Sequence, residues 1–235
     1  MAGEKIALFD FCGTMINFQS ADAYVRYVKS HVRKNARMLF IEGVRKFATV
    51  SRIMRVLQKF SREGFINKRM LLTQLKGLSF QEMDELAQKF FREVIRPNYI
   101  PGVIEAVKKY KAEGYRLLIV SGGYDIYLKY VAEEFGFDDV ISTRLDFDGG
   151  TFTGRYKGMD CMNAHKVSLL KEYFGRDSLR DCESVAYSDS RSDIPLMKYC
   201  RKGVAVLRNS PPPPSRQLYV KGGWIEENGF EVLAW

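Results

Sequence analysis

Three short apolar runs constrain this chain more than any other feature. Each ends in a polar residue and is followed by glycine or small polar residues: "IALFD" (6–10) before "FCGT", "RLLIVS" (116–121) before "GGY", and "SVAYSD" (184–189) before "SRSD". Two more β-rich runs, "DVIST" (139–143) and "GVAVL" (203–207), share the second half of the chain with helical periodicity at 101–113, 124–135, 164–174 and 192–199. Such alternation predicts an α/β fold, a Rossmann-like core with a mostly parallel sheet flanked by helices. Ligands of such sheets bind beyond the carboxyl ends of the strands. Asp10, Ser121 and Asp189 are therefore expected around one point. The segment "LDFDGGTFTGRY" (145–156) turns on Gly149-Gly150 and reads as a β-hairpin.

The stretch 17–97 has a different texture. It shows no convincing strand but a basic and apolar helical periodicity, with Leu39, Val44, Phe47, Val50, Met54 and Leu57 on one stripe. It holds 17 Lys/Arg against 7 Asp/Glu, a net +10, so the whole positive excess of the +9 chain lies there. The expected organisation is a core of residues 1–16 and 98–235 interrupted by a helical cap at 17–97, with Pro97 and Pro101 marking the return. "SPPPPS" (210–215) reads as an extended surface loop. The four cysteines lack metal-site or disulfide spacing. No signal peptide or long apolar run is visible, and the expected location is cytoplasmic.

Asp10, Asp189 and Asp193, without a histidine or thiol pair, form an oxygen donor set that suits Mg²⁺. One carboxylate then serves as nucleophile on a phosphoryl group, with Lys166 and the cation offsetting its charge and the amides after Ser121 holding its oxygens.

"DFCGT", "VSGGY", Lys166 and "YSDSRSDIPLM" together resemble the four ordered motifs of the haloacid dehalogenase superfamily. The insert after the first motif resembles the C1-type cap of its phosphoserine-phosphatase-like branch. The resemblance covers nearly the whole chain. It implies that Asp10 is the phosphate-accepting nucleophile and an Mg²⁺ ligand, and that Ser121, Gly122 and Gly123 hold the phosphoryl group. Lys166 becomes the screening lysine, Asp189 the second metal carboxylate, and Asp193 the support of the metal's water shell and of the lysine. Thr14 is expected to fix the first loop and face the substrate, Gly13 to permit its turn, and the Cys12 carbonyl to ligate the metal.

The chain departs from this pattern twice. Cys12 stands where the family's phosphatases carry the aspartate that protonates the leaving group and activates water. Acid-base catalysis contributes roughly 10²–10⁴-fold, so a slow phosphatase remains compatible with its loss. Gln19 stands where phosphoserine phosphatases carry a glutamate for the substrate's ammonium, which weakens phosphoserine as the substrate. Arg26 and Tyr27 are expected to face the pocket from the cap, and His165 to line it beside Lys166.

The resulting expectation is an Mg²⁺-dependent phosphatase acting on a small phosphorylated metabolite. Its rivals are a silent phosphate-ester binding protein, and a lipid-phosphate phosphatase or phosphotransferase whose basic cap lies on a membrane surface. No nucleic-acid partner is expected, because no binding module accompanies the charge.

Overall fold

The computed structural model describes residues 3–32, 71–208 and 223–235. The periodic stripe from Leu39 to Leu57 and the "SPPPPS" segment lie outside them.

Among the described residues seven strands form one sheet in the order β4-β3-β2-β1-β5-β6-β7. In chain order they are β1 (Lys5–Phe9), β2 (Arg116–Tyr124), β3 (Asp139–Asp148), β4 (Thr151–Lys157), β5 (Glu183–Ser188), β6 (Lys202–Leu207) and β7 (Glu231–Ala234). Every neighbouring pair is parallel except β3 with β4. That pair is the expected hairpin, and it turns through Gly149 (φ 52°) and Gly150 (φ 77°), left-handed positions that a two-residue turn requires.

β1 is central, and its apolar residues alternate between two cores. Ala7 and Phe9 enter one cluster, Ile6 and Leu8 the other, and all four are fully buried. Helices cover both faces, which is why the strand reads as a continuous apolar run rather than an alternating one. The register pairs Phe9 with Ile119 and Tyr187, so the three expected strand ends reach the same edge.

The flanking helices in chain order are α1 (Ser20–His31), α2 (Phe80–Phe90), α3 (Pro101–Ala112), α4 (Asp125–Phe135), α5 (Ala164–Phe174), α6 (Ile194–Tyr199) and α7 (Gly223–Asn228). Local chemistry sets several starts. Ser79 and Glu82 form a reciprocal capping box on α2, and Pro101 begins α3, where its missing N–H costs nothing.

The chain leaves the sheet region after Ile16 and returns at Tyr99, where the two segments pair antiparallel. Asn17 N–H donates to the Asn98 carbonyl (3.3 Å) and Ile100 N–H to that of Met15 (2.9 Å). The described ends of the insert are helical, and they are not detached from the sheet. Tyr24, Val25, Met83 and Phe90 share one apolar cluster with Phe9 and Ile119, and Tyr24 donates its hydroxyl to the Met83 carbonyl at 2.7 Å.

Three features differ from the sequence expectation. β2 does not stop at Ser121 but runs to Tyr124 across a register shift. The helix expected at 192–199 begins with a 3₁₀ turn at Arg191–Asp193, and α6 proper starts at Ile194. β7 is an added edge strand whose four residues are too few to produce a periodic signal.

Candidate active site

The backbone of Asp10 is fixed first, by its N–H donating to the Tyr187 carbonyl at 2.9 Å. The chain then folds tightly: Met15 and Ile16 N–H donate to the Phe11 carbonyl, and Gly13 N–H donates to that of Ile16 at 2.7 Å. Gly13 sits at φ +83°, and a Cβ there would lie 2.1 Å from Asp189 Oδ2. Only glycine permits both the turn and the close approach of the last β5 motif.

Lys166, in the first turn of α5 (Ala164–Phe174), reaches back to this loop. Its Nζ donates to Asp10 Oδ1 at 2.7 Å and to Asp193 Oδ2 at 2.6 Å, and all three residues are buried. Ser188 Oγ donates to the same Asp193 oxygen at 2.7 Å. Asp193 is thus engaged first as the anchor of Lys166. Burial depresses the lysine's affinity for its proton, but Asp10 and Asp193 outweigh that and hold it raised. Burial raises Asp10, against the opposing pull of the ammonium. Asp189 is pushed up to about 7, by burial first and then by Asp10 and Asp193.

Thr14 corrects one expectation. It is fully buried, behind the carboxylates rather than on the cavity wall. Its hydroxyl accepts from Asp189 N–H (3.0 Å) and faces Asp10 Oδ2 (3.2 Å) and Asp189 Oδ1 (3.4 Å) as donor. It ties the two carboxylates together instead of meeting a substrate.

Cys12 points to the opposite flank. Its Sγ lies 3.0 Å from Ser20 Oγ and accepts from Ser20 N–H at 3.3 Å. Ser20 Oγ is in turn 2.7 Å from Tyr127 OH. Gly123 N–H donates to Ser121 Oγ at 3.0 Å, which bends the end of β2 around the site. A cavity of about 240 Å³ opens between these groups, lined by Asp10, Cys12, Gln19, Ser121, Gly122, Gly123, Lys166, Asp189 and Asp193 among others.

Nine of the ten expected site residues therefore meet at one cavity, with Thr14 behind it. Three secondary expectations fail. Tyr27 donates to Glu93 at 2.6 Å, Arg26 is exposed away from the cavity, and His165 pairs with Asp160 at 2.6 Å outside it. Ser20, Tyr127, Ser188 and Asn163 escaped the sequence reading. Asn163 lines the cavity at φ 51°, ψ −128°, an uncommon conformation for a residue with a side chain, immediately before the helix that carries Lys166.

Among the described residues, no group of three or more His, Cys, Asp or Glu side chains forms a cage for a metal ion. Mg²⁺ does not need one: it commonly takes one or two carboxylates and completes its shell with water and substrate phosphate. Three carboxylates here face a single ammonium, leaving a surplus of two negative charges when all are ionised. The donor chemistry and that surplus fit one divalent cation held by Asp10 and Asp189.

The haloacid dehalogenase-like hydrolase family model matches residues 7–198. A phosphoserine phosphatase of Polaromonas sp. is 30% identical over 163 residues, 68% of this chain and 64% of that protein, so the match spans just under two thirds of the relative's length. A histidinol-phosphatase of Neisseria meningitidis serogroup C is 25% identical over 86% of this chain and 90% of its own. Among solved structures, a Bordetella pertussis protein of unknown function shares the fold with a TM-score of 0.77 at 22% identity, covering 99% of both chains.

Proposed function

Because the chain belongs to the haloacid dehalogenase-like hydrolase family, we propose that it is a phosphatase that hydrolyses the phosphate monoester of a small metabolite through Asp10. The observation that carries this reading is Lys166 Nζ bridging Asp10 and Asp193 within a cavity that also holds Asp189 and the Ser121 loop. A pure binder has no need of a buried carboxylate clamped at this position.

Asp10 attacks phosphorus while Ser121 and its Gly122-Gly123 loop hold the phosphoryl oxygens. Lys166 keeps Asp10 aimed and offsets the charge that gathers on the phosphoryl group. Asp193 and Ser188 keep Lys166 from swinging away. Asp10, Asp189 and the Cys12 carbonyl would hold Mg²⁺, which would supply the remaining positive charge. Water then releases phosphate and restores Asp10. Residues 17–97 act as the cap over this chemistry, and α1 brings Gln19 to the cavity wall. Gln19 is neutral, and this disfavours an ammonium-bearing substrate at that wall. The relatives named for phosphoserine and histidinol phosphate frame the substrates to try first.

The test is phosphate release with Mg²⁺ from phosphoserine, histidinol phosphate, glycerol phosphates and sugar phosphates. The expected result is turnover by the wild type that disappears in Asp10→Asn. A second reading, a silent phosphate-ester binder, is favoured by Cys12 alone. Its signature is a wild type inactive on every ester, with turnover appearing in Cys12→Asp.

A further inference from the structure

Cys12, Ser20 and Tyr127 form a chain of hydrogen bonds whose direction follows from donor counting. Tyr127 OH is fully buried; the Tyr124 backbone N–H bonds to it as a donor, and the acceptor within its reach is Ser20 Oγ at 2.7 Å. If Ser20 donated to it, the phenol proton would be buried without an acceptor, an arrangement that buried polar groups avoid. Tyr127 therefore donates to Ser20. The Ser20 hydroxyl, itself fully buried, turns its own proton to Cys12 Sγ at 3.0 Å, alongside the Ser20 N–H at 3.3 Å. The sulfur accepts both bonds, so the thiol proton is not spent in the relay. Packing reserves the space: a Cβ on Gly123 would lie 2.7 Å from Tyr127 OH and 3.3 Å from Ser20 Oγ.

Resting on the phosphatase reading above, we propose that Ser20 and Tyr127 are positioning residues that make Cys12 the proton donor to the leaving alcohol. In the first step the Asp10 oxygen–phosphorus bond forms and the phosphorus–alcohol oxygen bond breaks. The bonding pair stays on the alcohol oxygen, which takes the Cys12 thiol proton. The sulfur keeps its electron pair and is held by the two Ser20 donors, which were in place before the proton left. In the second step water attacks phosphorus, its proton passes to the sulfur, and the Asp10–phosphorus bond breaks. Phosphate, Asp10 and the Cys12 thiol are regenerated.

A proton donor matters for an alkoxide leaving group and little for an acidic phenol, whose anion departs unaided. The test compares kcat/KM, which reports the steps through phospho-enzyme formation when that formation is irreversible, for the best alkyl phosphate of the panel and for p-nitrophenyl phosphate. Ser20→Ala should lower the alkyl value by about tenfold more than the nitrophenyl value. Ser20→Thr should restore most of that ratio, and Tyr127→Phe should move it the same way by about two- to fivefold. An unmoved ratio in folded Ser20→Ala and Tyr127→Phe proteins overturns the relay while leaving the phosphatase reading intact. If Ser20→Ala does not fold, Tyr127→Phe alone decides. Failure of the wild type to hydrolyse any ester overturns the phosphatase reading, and the relay with it.

Discussion

Two flanks of one loop, Asp10–Ile16, face the same cavity and are built on opposite principles. On one, Asp10, Lys166, Asp193 and Asp189 crowd ionisable groups together, with Lys166 Nζ 2.7 and 2.6 Å from its two partners. On the other, Cys12, Ser20 and Tyr127 are joined by hydrogen bonds between hydroxyl and thiol groups. The first flank is held by ion pairs to Lys166 and fails abruptly when that charge is removed, because the remaining carboxylates are buried and uncompensated. The second is held by donor direction, and each missing bond costs only its own small share.

Breaking the charged flank should have the largest effect. Lys166→Met leaves Asp10 and Asp193 buried without their counter-charge. It should abolish phosphate release and cost about 3–5 kcal/mol in urea unfolding of the Mg²⁺-free protein.

Each flank is also guarded by a glycine, which allows a matched comparison. Gly13→Ala combines φ +83° with a Cβ 2.1 Å from Asp189 Oδ2, and it should lose about 2–3 kcal/mol together with activity. Gly123→Ala pushes on Tyr127 OH at 2.7 Å and Leu128 Cδ1 at 3.2 Å, side-chain ends that can give way. Its loss should be smaller, about 1 kcal/mol, with a change in leaving-group preference rather than silence. Equal effects from the two glycines would erase the distinction between the flanks.

The smallest expected effect is a pH trend. A carboxylate whose folded pKa lies above its unfolded value makes folding less favourable as pH rises from the unfolded value through the folded one. For Asp189 that window runs from its ordinary 3.8 to about 7. Without a divalent cation, Tm should fall across this range, and the gain in Tm on adding Mg²⁺ should widen with it, because the cation competes with protons for the same oxygens. Differential scanning fluorimetry from pH 5 to 8 reads this directly. A Mg²⁺ gain that is flat with pH, or absent, would count against Asp10 and Asp189 as the cation's ligands. Ser20→Ala should leave the slope as it is.

The charged flank was legible in the sequence, whereas on the other only Cys12 was and its partners were not, for a physical reason. Asp10, Ser121 and Asp189 each end a recognisable apolar run, and parallel strands in register must bring such ends together. Lys166 lies far from them in sequence, but it belongs to an ordered set of motifs. Ser20 and Tyr127 are 107 residues apart, and neither ends a strand. Tyr127 carries a faint signal, since it follows Tyr124 by one helical turn just after the Gly122-Gly123 pair. The sequence placed a helical cap at 17–97 without showing what it packs on, and Tyr24 and Phe90 at its described ends join the same core as Phe9. A periodicity count reports that a helix has an apolar face, not which layer that face meets. β7 was missed because "EVLA" acquires its strand character only by pairing with β6.

The central place of β1 has a consequence for how the protein comes off the ribosome. Its register partners in β2 and β5 lie 110 and 178 residues further along the chain. At ribosomal speeds of about 5–20 residues per second, β1 waits roughly 9–36 s for its second neighbour. Throughout that interval the most apolar strand of the sheet, Ile6 to Phe9, has at least one open edge. The strand that will carry Asp10 is thus synthesised first and enclosed late, and chaperone dependence in the cell should fall on this run before any other.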